Sequence, residues 1–310
     1  MKMGEDQGGM NRRTFIEQML MGSTVLLSLS QPEHSRRYAV VVGIDTYSKL
    51  DNGNLTGCVA DANDMAKLLK KLGFQVKLLL NADATRRTVM AAIHTAALNA
   101  GKDGQLLFYF AGHGAKGETM EGKKVKSYIL MADTSVGNAG SGLDVDDLYH
   151  AVVSVPTKSQ TVLLDSCFSA AMIGGLQLEP DRAGLKARCY NFLRLHEEPI
   201  SANRTDGATQ MPGSASVCYF TACAATECAW EQHGHGVFTK ALIGRLQIAP
   251  PNERWGQIQK DVSIAVSNQM FSLPDGTMVT QHPQLTSHSR DLAVIRQVSQ
   301  DTEHPCLIGY

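Results

Sequence analysis

The chain has 310 residues, 43% of them hydrophobic and 19% charged, with 29 Lys and Arg against 30 Asp and Glu for a formal net charge of −1. That composition is globular, and its balance lacks the basic excess that nucleic-acid binding draws on, so no nucleic-acid partner is expected. The seven cysteines, odd in number and widely scattered, argue against a disulfide framework.

Residues 1–36 read as an N-terminal extension. Asn11-Arg12-Arg13-Thr14-Phe15-Ile16 precedes an apolar stretch from Met19 to Leu29, which resembles a twin-arginine export signal. The alternative is a short helix docked on the domain. The apolar stretch is too short to cross a bilayer, which takes about 20 residues, so no stable membrane insertion is expected. Cytoplasm and export both remain open.

From Arg37 onward, short β-branched runs alternate with helical periods. Residues 38–44, Tyr-Ala-Val-Val-Val-Gly-Ile, form a continuous apolar run suited to a strand buried on both faces. Ala60 to Leu72 has helical spacing and Gly73 a stop signal; Gln75 to Leu80 is a strand; Asp83 to Ala100 is a helix capped by Asp83 or Thr85. Gln105 to Phe110 is a strand running into Ala111-Gly112-His113-Gly114. Tyr128 to Met131 is a short strand, Val145 to Val153 a helix, and Thr161 to Leu164 a strand ending at Asp165-Ser166-Cys167. Periodicity is lost over 174–216 and returns at the strand Val217–Thr221. The helices Val237–Leu246 and Trp255–Phe271 follow, and Asp291–Ile295 is a candidate last strand. This alternation predicts an α/β fold with a mostly parallel sheet covered on both faces.

Two positions stand apart. His113, between two glycines, and Cys167, in a serine-rich turn, each lie just past the C-terminal end of a predicted strand, the edge where catalytic groups collect in parallel sheets. Together they offer nucleophilic catalysis: a thiolate attacks a peptide carbonyl and the imidazole protonates the leaving amine. The amides of Gly114 and Cys167 are candidate oxyanion donors. No residue orienting His113 stands out. The other six cysteines read as buried thiols; Cys223 and Cys228, spaced C-x4-C without a second pair, make a poor zinc site, and no metal ligand set is assigned.

The segments Tyr109-Phe-Ala-Gly-His-Gly114 and Asp165-Ser-Cys-Phe-Ser169 resemble the His and Cys motifs of the caspase-like cysteine peptidases, closest to the metacaspase branch with its bacterial orthocaspase members. Further matches follow in order: the run 38–44, Gly57-Cys58-Val-Ala-Asp61-Ala62, the stretch from Thr221 to Glu231 followed by 236–239, and Gln281-His-Pro-Gln284. The separation, 167 − 113 = 54 residues, also suits the offset of about 50 known in caspases. The resemblance implies a three-layer α/β/α sandwich around a sheet of about six strands. It divides the chain into a peptidase domain at 37–297 (large part 37–173, linker 174–216, small part 217–297) and a tail at 298–310.

It also implies endopeptidase activity on protein or peptide substrates after Arg or Lys. Asp61 and Asp165, with Cys58 beside them, correspond to the acids that receive a basic side chain. Asp61 is otherwise a helix cap, and Asp165 a partner for nearby amides. The linker carries Arg182, Lys186, Arg188, Arg194 and Arg204, any of which is a candidate for self-cleavage. No cofactor is expected. Asp133, Asp146 and Asp147, with Asp144, sit where many metacaspases bind calcium, but Asp146 and Asp147 equally suit a helix start, and calcium activation is not the favoured reading. His233 and His235 read as exposed loop residues, and Trp230 either walls a subsite or packs in the core. The chain is expected to act as a monomer. Two rivals stay open: a catalytically silent scaffold of the same fold, and a Cys–His hydrolase or transferase of small molecules.

Overall fold

The computed structural model describes residues 36–118, 125–136, 138, 141–154, 157–168, 185–190, 217–224, 227–273 and 275–285. The first strand, β1 (Arg37–Gly43), is the expected apolar run, with every residue from Ala39 to Gly43 buried. A loop leads to helix α1 (Cys58–Lys71). Its cap position, Gly57, has no side chain to offer, and Asp45 does the work from a distance. The Asp45 carboxylate accepts the amides of Cys58 and Val59 at 2.8 and 3.2 Å, filling donors that a helix start leaves open.

Strand β2 (Gln75–Leu80) follows, then helix α2 (Arg86–Ala100). Of the two candidate caps for α2, Thr85 is the one used, in a reciprocal capping box with Thr88. Strand β3 (Gln105–Ala111) is fully buried, and β7 (Ser159–Asp165) likewise. Between them, β4 (Gly114–Glu118), β5 (Val125–Ile129) and β6 (Leu143–Asp144) form a separate antiparallel sheet, with helix α3 (Val145–Val153) after it. The strand expected over Tyr128–Met131 therefore starts earlier and lies outside the main sheet: once the chain turns back at His113, pairing with β4 is closer than any vacant edge.

After β7 come β8 (Lys186–Ala187), β9 (Val217–Thr221), β10 (Trp230–Gln232) and β11 (His235–Gly236), then helices α4 (Val237–Gln247) and α5 (Trp255–Ser267). The last described elements are β12 (Phe271–Ser272), β13 (Met278–Val279) and β14 (Gln284–Leu285). Phe271, expected at the end of the last helix, belongs to β12 instead; α5 stops at Asn268, and the chain turns back. The candidate strand Asp291–Ile295 and the extension with its twin arginine lie outside the described residues, and no described helix is long and apolar enough to cross a membrane.

The main sheet has six strands in the order β14-β9-β7-β3-β1-β2. All pairs are parallel except β14 on β9. The chain steps from β1 outward to β2, then back across β1 to β3. Strand ends at such a reversal open a crevice, and β1, β3 and β7 all point their carboxyl ends into it. Register fixes what meets there. Ala111 pairs with Asp165, so the residues two places beyond each, His113 and Cys167, leave the sheet side by side.

The capping box of α2 gives a direct check on the fold. Thr85→Ala removes an acceptor for the Thr88 amide, and is expected to cost about 1 kcal/mol of unfolding free energy in urea titration.

Candidate active site

His113 and Cys167 are both buried, at 4% and 0% exposure. Gly114 must be glycine for their strands to come this close: a Cβ there would stand 2.3 Å from the Cys167 carbonyl oxygen. The His113 ring is held by backbone, through Nε2 at 2.8 Å from the Gly53 carbonyl. Tyr47 steadies the same turn, its hydroxyl accepting the His113 amide at 2.9 Å, with the two rings 5.1 Å apart. The remaining ring nitrogen, Nδ1, is buried and has no hydrogen-bond partner among the described residues. Burial first of all pushes the imidazole down to about 4, against smaller upward effects from the Gly53 carbonyl and Glu231, so His113 is neutral at ordinary pH. The Cys167 thiol donates to the Glu227 carbonyl at 2.7 Å.

The crevice is filled by the chain itself. Residues 185–190 run through it in extended form, with β8 antiparallel to β10: Ala187 opposite Trp230 and Lys186 opposite Glu231. At Arg188 two things coincide. Its carbonyl oxygen accepts the amides of Gly114 and Cys167, each at 3.1 Å. Its side chain, with no exposed surface, enters a pocket of three carboxylates: Asp61 at 2.6 Å, Asp165 at 2.8 Å and Glu231 at 3.4 Å.

The acids come from three elements, and each is tied down. Asp61, in the first turn of α1, accepts the Gly236 amide at 2.7 Å and meets His235 Nδ1 at 2.9 Å. It is a pocket residue and not the cap of its helix. Asp165, the last residue of β7, accepts the Thr239 amide and hydroxyl at 3.2 and 2.6 Å. Glu231, in β10, accepts the Thr56 amide and hydroxyl and the Gly57 amide.

Burial raises Asp165 above the usual carboxylate range, with Arg188 opposing and Asp61 adding repulsion. Burial also acts upward on Glu231, but Arg188 and the bonds from Thr56 and Gly57 outweigh it, and that carboxyl is lowered. The guanidinium loses hydration, yet the facing acids hold it firmly charged.

Of the residues singled out in the sequence, His113, Gly114, Cys167, Asp61, Asp165 and Arg188 therefore share one cleft. Cys58 lies behind it, its thiol 3.8 Å from Glu231 and not bonded to Arg188. Lys186 is two residues upstream, its ammonium reaching the Asn54 carbonyl at 3.3 Å outside the pocket. Arg182, Arg194 and Arg204 lie outside the described residues. His235, read as an exposed loop residue, instead joins Asp61, because the tight β10–β11 turn carries its imidazole back to the pocket rim. Trp230 is buried near Phe271, and its backbone flanks the extended segment.

Sequence reasoning missed two things. One is Glu231 as third acid, signalled only by its place beside Trp230 in a matched motif. The other is the Gly53 carbonyl that orients His113, for which a backbone group leaves no signal at all.

Two described groups bring three possible metal ligands within 4.8 Å of one another: Cys167, Cys189 and Cys228, and Asp45, Cys58 and Glu231. In the second, backbone amides already occupy both carboxylates. The first is all thiol, a donor set for soft ions, and it includes a strand-end cysteine of the cleft. The acids considered for calcium are engaged elsewhere. Asp133 accepts the Arg86 amide, Asp147 pairs with the Arg86 side chain, and Asp144 caps α3 and pairs with Lys126. Asp146 sits in the first turn of α3, as its helix-start reading requires.

Gly236 sets the pocket's clearance, since a Cβ there would stand 2.3 Å from an Asp165 oxygen and 2.4 Å from Arg188 Nη1. Gly236→Ala is expected to expel the Arg188 side chain and loosen its segment. Hydrogen exchange at the Arg188 and Tyr190 amides should quicken by at least about tenfold, and unchanged exchange would show that the pocket yields instead.

A family model described as the caspase domain matches residues 36–294. Metacaspase-1 of Mycosarcoma maydis is 26% identical over 153 residues, covering 44% of this chain and 37% of that protein. Metacaspase-1A of Aspergillus terreus is 27% identical over 154 residues, with the same coverage of 44% and 37%. The match thus spans little more than a third of these relatives' length. Among solved structures, caspase-1 of Spodoptera frugiperda superposes with a TM-score of 0.58 at 18% identity, covering 87% of this chain and 94% of that one. A protein of Geobacter sulfurreducens gives the same score and identity, covering 81% and 92%.

Proposed function

The chain belongs to the caspase-domain family of cysteine-type peptidases, and from that premise we propose that it hydrolyses internal peptide bonds of proteins after arginine and lysine, and processes itself in the linker 174–216. Cys167 is the nucleophile and His113 the general base and acid. Asp61, Asp165 and Glu231 receive the basic side chain, and no metal ion is required.

The single observation that carries this reading is the seating of Arg188, with guanidinium among three carboxylates and carbonyl under two amides. Two donors aimed at one carbonyl oxygen suit the charge that grows there as a tetrahedral adduct forms, and losing one such donor typically costs about 3 kcal/mol of barrier. The neutral imidazole fits the first step, taking the thiol proton through an unengaged nitrogen, and its second, returning it to the leaving amine. For attack, the thiol must turn from the Glu227 carbonyl toward the substrate carbon.

A carboxylate-lined pocket selects by charge. A guanidinium fills it with charge-assisted bonds worth about 1.5–3 kcal/mol each, an ammonium makes fewer, and an aspartate is repelled. Fluorogenic peptides ending in Arg, Lys or Asp, assayed in chelator, are therefore expected to be cut in the order Arg, then Lys, with none after Asp. Glu231→Gln should lower kcat/KM on the Arg peptide by about ten- to a hundredfold, one lost charge-assisted bond being worth that much. His113→Ala or Cys167→Ala should lower it by at least about a thousandfold. Equal cleavage after Asp, or full activity of Cys167→Ala, would refute the proposal.

The burial of His113 also gives a pH dependence. Protonation removes the base, so rate falls as pH drops through the imidazole's range, which lies near 4 while Arg188 closes the cleft and near 6.5 for an imidazole in water. Self-processing at pH 5 is thus expected to keep at least about half its neutral rate. A loss centred near pH 6.5, followed by gel densitometry, would place the ring in solvent before the reaction.

A further inference from the structure

We infer that the bond this enzyme cuts in itself is Arg188–Cys189, and that the segment around it is the pattern of its substrates: an extended Leu-x-Ala-Arg strand laid antiparallel on β10. The inference rests on the peptidase reading above and narrows it to one bond and a set of neighbouring side chains.

The chain is gripped on both sides of a single carbonyl. Upstream, the Arg188 amide donates to the Ala229 carbonyl at 2.8 Å, continuing the β8–β10 pairing. Downstream, the Tyr190 amide donates to the Gly114 carbonyl at 2.9 Å, and Cys189 forms a parallel bridge with Gly114. The Tyr190 hydroxyl reaches the Asp51 carbonyl at 3.1 Å, and its ring lies edge-on to His113 with centroids 5.7 Å apart. Of the described backbone carbonyls, that of Arg188 is the one under both strand-end amides. Lys186 is held two residues short of this position by its own pairing with Glu231, so the bond after it lies off the reacting register.

The chemistry closes without a co-reactant other than water. The Cys167 sulfur bonds to the Arg188 carbonyl carbon as the thiol proton passes to His113. The C–N bond to Cys189 then breaks, and that proton moves to the departing nitrogen. One water splits the thioester, leaving the Arg188 carboxylate and restoring the thiol. The new amino terminus at Cys189 takes up a proton. Until then, the intact chain keeps its own arginine in the pocket, so the same segment is both first substrate and plug.

The neighbouring side chains show what else the cleft selects. Leu185 is 5% exposed and packed in the core, which calls for an apolar group three residues before the arginine. Ala187 pairs with Trp230 and is partly buried, packed against the core, a position that suits a small group. Lys186 points to the surface and is expected to be freely replaceable. On the downstream side of that bond, the Cys189 sulfur lies 3.5 Å from that of Cys228, a close contact that suits a small residue.

The test begins with the full chain purified in reducing buffer, with its fragments identified by intact mass and N-terminal sequencing. The expected carboxyl-terminal fragment starts Cys189-Tyr190-Asn191, Arg188→Lys still processes, and Arg188→Ala stays whole. A peptide copying residues 183–192 is then given to the processed enzyme, which avoids any folding defect from substitution. It should be cut between its Arg and Cys, with kcat/KM reduced at least tenfold by the peptide changes Leu185→Asp or Ala187→Trp and less than threefold by Lys186→Ala. Enzyme that cuts Arg peptides yet starts its small fragment elsewhere, or ignores the Leu and Ala changes, overturns this inference and leaves the peptidase reading standing. A chain that neither fragments nor cuts any basic peptide removes that reading, and this one with it.

Discussion

A buried guanidinium among three carboxylates governs the functional end of this molecule. Stripping such ions of water costs several kcal/mol each, and their attraction offsets this only where geometry is good and the remaining lone pairs are filled. Here most are filled: Thr239 on Asp165 Oδ2, the Gly236 amide and His235 on Asp61, Thr56 and Gly57 on Glu231, while Asp165 Oδ1 and Arg188 Nε have no hydrogen-bond partner among the described residues. The acids outnumber the guanidinium they face. That surplus is a reason for an arginine to enter and a penalty on leaving it empty.

The same arrangement couples distant parts of the chain. Asp61 belongs to α1, Asp165 to β7 and Glu231 to β10, so the pocket exists only when the carboxyl-terminal elements dock on the amino-terminal sheet. Thr239 in α4 and Gly236 before it serve as supports, placed by the turn through His233 and Gly234, both at positive φ. The basic-residue pocket is thus a seam between the two portions and not a property of either.

Beside the seam, the two strand-end side chains depend on parallel register. Matching β3 with β7 places His113 and Cys167 at the same height, and glycine at 114 lets the two turns touch. Two amides then face one oxygen without any side chain taking part. The imidazole is set by a carbonyl from the β1–α1 loop and by Tyr47, and burial keeps it neutral.

Local pattern was enough for the five parallel strands and their helices, though not for β14 at the sheet edge, because apolar runs buried on both faces and amphipathic periods depend on neighbours in sequence. β1, β2, α2, β3, α3, β7 and β9 are legible within a residue or two, or three for the start of α2, and so are His113 and Cys167 as groups at strand ends. The antiparallel excursion of β4 to β6 was not, since it forms by pairing across a turn and not by composition. The third acid, the carbonyl behind His113 and the seating of Arg188 in the pocket belong to tertiary structure alone. Each is set by which distant backbone comes within 3 Å or so, typical hydrogen-bond reach. Charge and spacing along the chain do not encode that distance; the docking of α1, β7 and β10 does.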